Sequence, residues 1–302
     1  MKKILLIVLC ILICLVSVSY NPLKKNIQGA VKPEPPLTDK REQHDVCKNQ
    51  DDEENVSPGE EETSDKSDLI ASITARYANK TPNEWSETAT GVKTELDTDD
   101  KVIALTFDAC GGEYGSGYDK ELIDFLIEER IPATLFINSR WIDKNSDIFV
   151  SLSGNDLFEI ENHGTGHLPL SVNGKSAYNI AGTKDITAVI DEVEKNADKI
   201  YGITGRKPKF FRSGTAFYDE VAVQIVDELG ESVAGYSVLG DAGATYSKEQ
   251  VKNACLCAES GSIIICHMNH PEKETAEGIE EAVPILLEQG YSFVKLEDFT
   301  LK

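Results

Sequence analysis

Two histidines lie at either end of the segment His163-Gly164-Thr165-Gly166-His167. The two glycines disfavour a helix, so we predict a loop that directs both imidazole rings to one point. Neutral imidazole is a good ligand for zinc and for neighbouring divalent ions. The pair is therefore a candidate metal site, and the alternative is two histidines that only form hydrogen bonds in a loop. A zinc peptidase is disfavoured, because the segment lacks the Glu of the HExxH motif.

Asp108 and Arg212 form a second candidate group. Asp108 follows the apolar run Val102–Phe107, where a buried charge is costly unless it is paired or used in chemistry. It could act as a base towards a water molecule beside a metal, or it could only shape the turn of the glycines that follow. Arg212 comes after Phe210-Phe211 and can orient and neutralise such a base. The alternative for Arg212 is an ordinary salt bridge.

His267 and Asp241 form a third candidate group. His267 ends the apolar run Ser262–Cys266 and can protonate a departing amine. Asp241 lies just beyond the run Val233–Val238 and can hold the tautomer of His267, as a carboxylate does in acyl-transfer triads. The alternative for His267 is a strand-end histidine with an ordinary hydrogen bond.

Strand-like and helix-like segments alternate through the last two thirds of the chain. The strand-like runs are Val102–Phe107, Ile131–Asn138, Leu157–Glu161, Phe210–Phe211, Val233–Val238, Ser262–Cys266 and Phe293–Leu296. The segments with helical spacing are Tyr118–Glu129, a helix capped by Thr183, Glu220–Leu229, Lys248–Ala258 and Ala276–Gln289. Strands that are apolar on both faces predict a parallel sheet covered by helices. About seven such units favour an α/β fold of the (β/α) barrel type over an open sheet.

The candidate residues share one position relative to the predicted strands. Asp108, His163, Arg212, Asp241 and His267 each come after the end of a strand. Active sites of (β/α) barrels form at the C-terminal ends of the strands. We therefore predict that these side chains lie on one rim and form one site.

The N-terminus predicts an exported protein. Two lysines precede an apolar run of about 15 residues, Ile4–Val18, with small residues at Ser17 and Ser19, which is typical of a secretory signal peptide over residues 1–19. The alternative is an uncleaved anchor that attaches the protein to a membrane. Residues 20–68 are acidic and poor in large apolar side chains, so we predict a disordered linker. Residues 69–302 form the predicted catalytic domain, with its core from about residue 100.

Charge and cysteine content restrict the function further. The 302 residues contain 52 Asp and Glu against 30 Lys and Arg, a net charge of −22. Such an acidic chain repels nucleic acid, so we predict no nucleic-acid partner. Five of the seven cysteines would remain after cleavage of the signal peptide, and an odd number predicts at least one thiol unpaired within the chain.

Five segments resemble the motifs of the polysaccharide deacetylase family, which is carbohydrate esterase family 4 and carries the NodB-homology domain. The family's Thr-Phe-Asp-Asp-Gly is present as Thr106-Phe107-Asp108-Ala109-Cys110-Gly111, and its His-Ser/Thr-x-x-His as His163–His167. Its Arg-Pro-Pro-Tyr-Gly is reduced to Arg212-Ser213-Gly214-Thr215-Ala216. Its Asp after a strand matches Asp241, and its apolar strand ending in His matches Ile263–His267. The resemblance extends from about Trp85 to the C-terminus.

The resemblance implies a deformed (β/α) barrel and a metal-dependent hydrolase. This hydrolase would remove N- or O-linked acetyl groups from an acetylated polysaccharide or oligosaccharide, such as an N-acetylglucosamine-containing glycan or peptidoglycan. Zinc is the expected metal, with cobalt or manganese as alternatives. The matching positions imply the following roles: Asp108 as the base, Arg212 as the residue that tunes it, His267 as the acid with Asp241 as its partner, His163 and His167 as metal ligands, and a backbone N–H near Thr215 as the oxyanion donor.

The chain departs from the family pattern at two motifs. Ala109 replaces the second Asp, which is the family's usual third metal ligand, and the third motif lacks the Pro-Pro-Tyr that forms the groove wall. Cys110 could complete the metal site, form a disulfide with Cys266 or remain a buried thiol. We interpret the chain as a divergent member with intact chemistry. The alternatives are a catalytically impaired carbohydrate-binding relative and a hydrolase of another amide or ester class.

Overall fold

The structure, a computed structural model, describes residues 58–302, with side chains from Lys66 onward. The predicted signal peptide or anchor, most of the predicted linker and Cys47 lie outside the described residues. Among residues 58–302, no helix combines the length and the apolar content that a membrane crossing requires.

Most strands belong to one parallel sheet. In chain order the strands are β1 Val102–Ala109, β2 Ala133–Ile137, β3 Phe158–Asn162, β4 Ser176–Ala177, β5 Ile180–Ala181, β6 Phe210–Phe211, β7 Ser232–Val233, β8 Val238–Leu239, β9 Ile263–His267 and β10 Ser292–Val294. The sheet has the order β7-β6-β3-β2-β1-β9-β8, with β10 beside the first residues of β1, and all its pairings are parallel. The strands β4 and β5 form a separate antiparallel hairpin.

Helices connect the strands and cover the sheet. In the described part of the chain they are α1 Pro58–Tyr77, α2 Lys120–Glu128, α3 Ser139–Lys144, α4 Ser146–Ser153, α5 Ile186–Thr204, α6 Glu220–Glu228, α7 Lys248–Cys255 and α8 Thr275–Glu288, followed by a 3-10 turn at Leu296–Asp298. One apolar cluster joins β1, β2 and β9 to α2, α7 and α8. A second joins α1, α5 and α6 to β6 and β7. Each helix is amphipathic and buries its apolar face in one of these clusters.

The sheet curls towards closure between its two outer strands, β7 and β8. The segment 93–96 connects the two sides of the curled sheet, because Lys93 bridges to Ala234 after β7 and Glu95 bridges to Ser262 before β9. The seven strands of the main path confirm the predicted deformed (β/α) barrel of about seven parallel strands. Strand β1 has neighbours on both sides in this strand order, and all its residues after Val102 are buried. The C-terminal end of β1 therefore lies at the centre of the rim that the strand ends form.

Helix α1 crosses the boundary that the sequence predicts between linker and domain. It begins at Pro58, so the last residues of the predicted linker 20–68 are helical. Its residues Ile73 and Tyr77 are buried in the cluster with α5 and α6. The folded domain therefore starts before residue 69.

The run Val233–Val238 is two strands rather than the single strand that its apolar residues predict. β7 ends at Val233 and β8 begins at Val238, at opposite ends of the strand order. Between them, the carbonyls of Ala234 and Gly235 accept hydrogen bonds of 3.0 and 2.8 Å from the Arg212 guanidinium. The strand is thus interrupted where its backbone binds a site residue.

The start of α5 also differs from the prediction. Its N-cap is Asp185, whose carboxylate accepts a hydrogen bond from the Ala188 N–H. Thr183, the predicted cap, instead exchanges hydrogen bonds with the backbone of Ser171. An aspartate is at least as good an N-cap as a threonine, so the nearer aspartate takes that position.

Candidate active site

Asp108 and Arg212 form a buried ion pair at the end of β1. Arg212 Nη1 lies 2.9 Å from Asp108 Oδ1, and Arg212 also donates to Thr106 Oγ1 and to two backbone carbonyls. Burial raises the pKa of Asp108, but the nearby charges of His163, Arg212 and His267 outweigh it and hold that pKa below its ordinary value. The carboxylate is therefore kept ionised and in a fixed orientation.

His163 is oriented by the backbone of Arg212. Its Nδ1 lies 2.9 Å from the Arg212 carbonyl oxygen, so Nδ1–H donates, and in the neutral ring Nε2 carries the lone pair. Nε2 lies 3.6 Å from Asp108 Oδ2 and 3.9 Å from Cys110 Sγ. A histidine that binds a metal through one ring nitrogen normally donates its other N–H in this way.

The two-histidine loop brings His167 beside His163. The ring centroids are 4.9 Å apart and the rings meet edge to face. His167 has a φ of 60°, which places it in the left-handed region and turns the chain back at this point. Its Nε2 is buried and has no hydrogen-bond partner among the described residues.

Helix α5 and the end of β2 hold this loop in place. Glu192 of α5 accepts hydrogen bonds from the Gly166 N–H at 2.8 Å and the Leu168 N–H at 3.1 Å. Asn138, after β2, donates from Nδ2 to the carbonyls of His163 and Gly164. Sequence reasoning missed Glu192, although its place among buried residues of an amphipathic helix is a signal, because a buried carboxylate needs partners.

Three donor atoms converge where the resemblance implies a metal. The side chains of Cys110, His163 and His167 each offer one atom, and these atoms lie within 4.8 Å of one another. Buried polar atoms normally have partners, so the unpaired Nε2 of His167 independently points to a missing ligand. A thiol and two imidazoles are donors typical of zinc sites, and the group fits a divalent ion of this kind.

The disulfide between Cys110 and Cys266 is not formed, because both residues are free thiols. Side chains alternate between the faces of a strand, and Cys266 of β9 points into the apolar cluster with Cys255. The adjacent His267 lies at the cavity described below.

His267 and Asp241 form a second pair beside Asp108, in which Asp241 is buried and His267 is partly exposed. His267 Nδ1 lies 2.9 Å from Asp241 Oδ1, and the His267 backbone N–H donates to Oδ2 at 2.7 Å. Thr275 Oγ1 also donates to Oδ2 at 3.1 Å. Burial lowers the pKa of His267, but the charge and hydrogen bond of Asp241 outweigh it and raise that pKa well above its ordinary value. His267 is paired in register with Asp108 across β1 and β9, so the imidazole and the carboxylate are neighbours.

Both pairs face one cavity of about 610 Å³. Asp108, His267 and Thr215 line it. No described residue accepts a hydrogen bond from the Thr215 backbone N–H, so this donor is available to a bound group.

Two tyrosines form an aromatic wall of the cavity. Tyr178 lies next to the hairpin β4–β5 and Tyr236 lies between β7 and β8, and each hydroxyl donates to a different oxygen of Glu87 at 2.8 Å. The third motif, which lacks the family's Pro-Pro-Tyr, lines the same cavity as this wall. Sequence reasoning missed these three residues, because they are far apart in the chain and share no local pattern.

The structure brings together every residue that the sequence singles out for the site. Asp108, Arg212, His163 and His167 form one contacting group, the pair of Asp241 and His267 lies beside it, and Thr215 lines the shared cavity. The roles assigned to these residues stay predictions.

Residues 95–234 match the family model described as polysaccharide deacetylase. These residues include the ion pair and both histidines of the loop, and the match ends before Asp241 and His267. The chain carries a polysaccharide deacetylase domain. The similarity to solved structures extends over more of the chain than the family model does.

The peptidoglycan-N-acetylmuramic acid deacetylase PdaA of Bacillus subtilis (strain 168) is one relative of this polysaccharide deacetylase domain. It is 24% identical over 209 residues, which is 67% of this chain and 72% of PdaA. The PdaA structure, a family 4 carbohydrate esterase, matches with a TM-score of 0.58 at 23% identity, over 76% of this chain and 88% of PdaA.

Two further structures share the fold of this domain. A family 4 acetyl xylan esterase from Clostridium thermocellum, in complex with a cobalt ion, matches with a TM-score of 0.54 at 23% identity, over 66% of this chain and 89% of that one. A pseudoenzyme of the same family from Bacillus anthracis matches with a TM-score of 0.55 at 19% identity, over 69% of this chain and 67% of that one. The fold therefore occurs in both active and inactive relatives.

Proposed function

We propose that this protein is an exported, metal-dependent hydrolase that removes N- or O-linked acetyl groups from a carbohydrate polymer. N-acetylglucosamine-containing glycan or peptidoglycan is the proposed substrate class. The observation that carries the proposal is the arrangement of two oppositely tuned groups, Asp108 with a lowered pKa and His267 with a raised pKa, beside one group of metal-type donors. The apolar run near the N-terminus supports export.

In this proposal His163 and His167 hold the metal through Nε2. His167 Nε2 has no partner among the described residues, and His163 Nε2 has only long contacts, 3.6 Å to Asp108 Oδ2 and 3.9 Å to Cys110 Sγ. A divalent ion held there, zinc first and cobalt or manganese as alternatives, would polarise an acetyl carbonyl and make a nearby water easier to deprotonate. The hydrogen bond from His163 Nδ1–H to the Arg212 carbonyl fixes the tautomer in which Nε2 is free to bind.

Asp108 acts as the general base in this proposal. Its ionised carboxylate accepts a proton from the water that attacks the acetyl carbon, and Arg212 keeps the carboxylate in place and deprotonated beforehand. Thr215 lines the same cavity, and its free backbone N–H is placed to donate to the oxyanion that develops on the carbonyl oxygen.

His267 acts as the general acid. Asp241 binds Nδ1 and keeps the ring protonated at neutral pH, which leaves Nε2–H to donate to the departing sugar nitrogen or oxygen. The two tyrosines of the wall supply the aromatic surface on which a sugar ring can pack.

A substrate panel tests the proposal directly. Acetate is measured after incubation of the full chain with N-acetylglucosamine oligomers, peptidoglycan and acetylated xylan, first after chelator treatment and then after addition of zinc, cobalt or manganese. We expect release from at least one glycan that is lost with the chelator and restored by metal. No release from any acetylated glycan in any metal-loaded sample contradicts the proposal.

The second candidate function is a carbohydrate-binding protein without catalysis. Ala109 in place of the family's second Asp favours this candidate, as does the similarity to the pseudoenzyme from Bacillus anthracis. Glycan binding by a protein that takes up no metal and releases no acetate would support it over the hydrolase.

A further inference from the structure

The side chain at position 109 does not point to the metal donors. Ala109 is fully buried in the apolar cluster between the sheet and its helices. Side chains alternate between the faces of a strand, so Asp108 lies on the opposite face, and the residue after Ala109 is the first one beyond the end of β1. Cys110 is that residue, and its Sγ lies 3.9 Å from His163 Nε2. The loss of an Asp at position 109 therefore coincides with a different donor one residue later.

The backbone around Cys110 is fixed by a tight turn. The Gly111 N–H donates to the Gly115 carbonyl at 2.7 Å, and Arg140 Nη2 donates to the Cys110 carbonyl at 3.1 Å. Gly111 has a φ of 69°, and a Cβ at that position would lie 2.6 Å from the Trp141 nitrogen. Only glycine fits this turn, so the direction of the thiol is built into the fold.

The turn brings the thiol next to a buried imidazole nitrogen that has no hydrogen-bond partner among residues 58–302. His167 Nε2 is buried without a partner, and the donor atoms of Cys110, His163 and His167 lie within 4.8 Å of one another. The thiol itself is only partly buried. Asp108 is paired with Arg212 through Oδ1, and its Oδ2 lies 3.6 Å from His163 Nε2, so the three donors lie directly beside the proposed base.

We propose that Cys110 is the third protein ligand of the metal, as a thiolate beside the two imidazoles of His163 and His167. The inference rests on the proposed function for the identity of the site, but it concerns the donor set alone. Metal binding would release the thiol proton to solvent, because cysteine binds as the thiolate. A soft thiolate favours zinc and cobalt over manganese and magnesium, so this site should differ in metal selectivity from one completed by a carboxylate.

Cobalt(II) loading of the full chain tests the donor set without reference to catalysis. A cobalt–thiolate bond gives a strong charge-transfer absorption in the near ultraviolet that cobalt bound by nitrogen and oxygen alone lacks. We expect this absorption in the wild type and in the matched control C257S, whose cysteine is an exposed free thiol. We expect it to be lost in C110S and in C110D.

Competition with a chromophoric chelator supplies a second readout. We expect C110A to bind zinc at least about 10-fold more weakly than the wild type, whereas C110D, which restores a charged ligand, should recover part of that loss. Thermal melting of each metal-free variant confirms that the fold is retained. Charge transfer that is absent from the cobalt-loaded wild type, or that persists in C110S, overturns the inference.

The two proposals fail separately. Acetate release from a cobalt-loaded wild type that shows no charge transfer contradicts the thiolate ligand and leaves the hydrolase in place. Charge transfer that depends on Cys110, in a protein that releases no acetate from any glycan, supports the thiolate ligand and contradicts the hydrolase.

Discussion

Asp241 controls the charge of His267 through direct contacts. The carboxylate binds both the ring Nδ1 and the backbone N–H of His267, and it is fully buried. Burial alone lowers the pKa of a histidine because it disfavours the charged form, so the raised pKa of His267 depends on the negative charge of Asp241. A general acid must be protonated to act, and activity should therefore persist above the ordinary pKa of histidine and fall as the pH rises through the raised value.

Replacement of Asp241 by Asn should move this basic limb to lower pH. The substitution removes the charge that raises the pKa of His267 and leaves the burial that lowers it, so the acid loses its proton at a lower pH. The pH profile of kcat/KM for D241N against the wild type measures the shift. T275A is the control, because it removes one neutral hydrogen bond to Asp241 and keeps the charge. A basic limb at the same pH in D241N and wild type would show that His267 is not the acid.

Much of the grouping of the candidate site residues could be predicted from the sequence. Asp108, His163 and His267 each follow an apolar run, and parallel strands place such residues on one rim. Glu87, Tyr178 and Tyr236 could not be predicted, because only the tertiary fold brings these three positions to one wall.

At the element scale, helix α5 supports the two-histidine loop from behind. Glu192 binds two backbone N–H groups of the loop, and the Thr165 N–H donates to the Glu192 carbonyl. Burial raises the pKa of Glu192, while its hydrogen bonds to the Leu168 and Gly166 N–H groups act in the opposite direction. The loop is thus anchored to helix α5 through its backbone.

Removal of the Glu192 carboxylate should weaken metal binding rather than abolish folding. In E192A the Gly166 and Leu168 N–H groups lose their acceptor, so His167 is less firmly positioned, and we expect zinc affinity to fall about 10- to 100-fold. Chelator competition measures the affinity, and thermal melting checks the fold. The control is D191A on the same helix, which removes an exposed side chain paired with Lys195. Equal zinc affinity in E192A and D191A would contradict the supporting role.

Element boundaries followed the sequence at the long apolar runs and at the short strand Phe210–Phe211, and failed at the run Val233–Val238. β1, β2 and β9 have at least five buried or nearly buried residues each, and their predicted runs overlap the observed strands. β7 and β8 have two residues each and are separated by only four residues, so the sequence joined them into one strand.

At the scale of the whole molecule, α1 makes the folded domain longer than the sequence indicated. The first turns of α1 carry a run of acidic residues, and this composition favoured a disordered linker. The apolar face appears only later, at Ile73 and Tyr77, where the helix packs against α5 and α6. Composition averaged over a segment therefore concealed a helix whose packing residues lie at one end.

Truncation of a buried side chain in α1 should destabilise the entire domain. Ile73 is fully buried, so I73A should lower the free energy of unfolding by about 2–5 kcal/mol. The matched control on the same helix is Leu69, which is 41% exposed. L69A should change the free energy of unfolding by no more than about 0.5 kcal/mol. Urea denaturation followed by circular dichroism measures both. Similar stabilities for I73A and L69A would show that α1 is not part of the cooperative fold.

Asp108 is the proposed base of a metal-dependent deacetylase, and acetate release by the D108N variant tests this role. The zinc-loaded full chain and zinc-loaded D108N are compared on N-acetylglucosamine oligomers, with bound zinc and thermal stability measured on the same samples. We predict that the wild type releases acetate and that D108N, with its zinc retained, is at least about 100-fold slower. Acetate release by D108N at the wild-type rate would contradict the account.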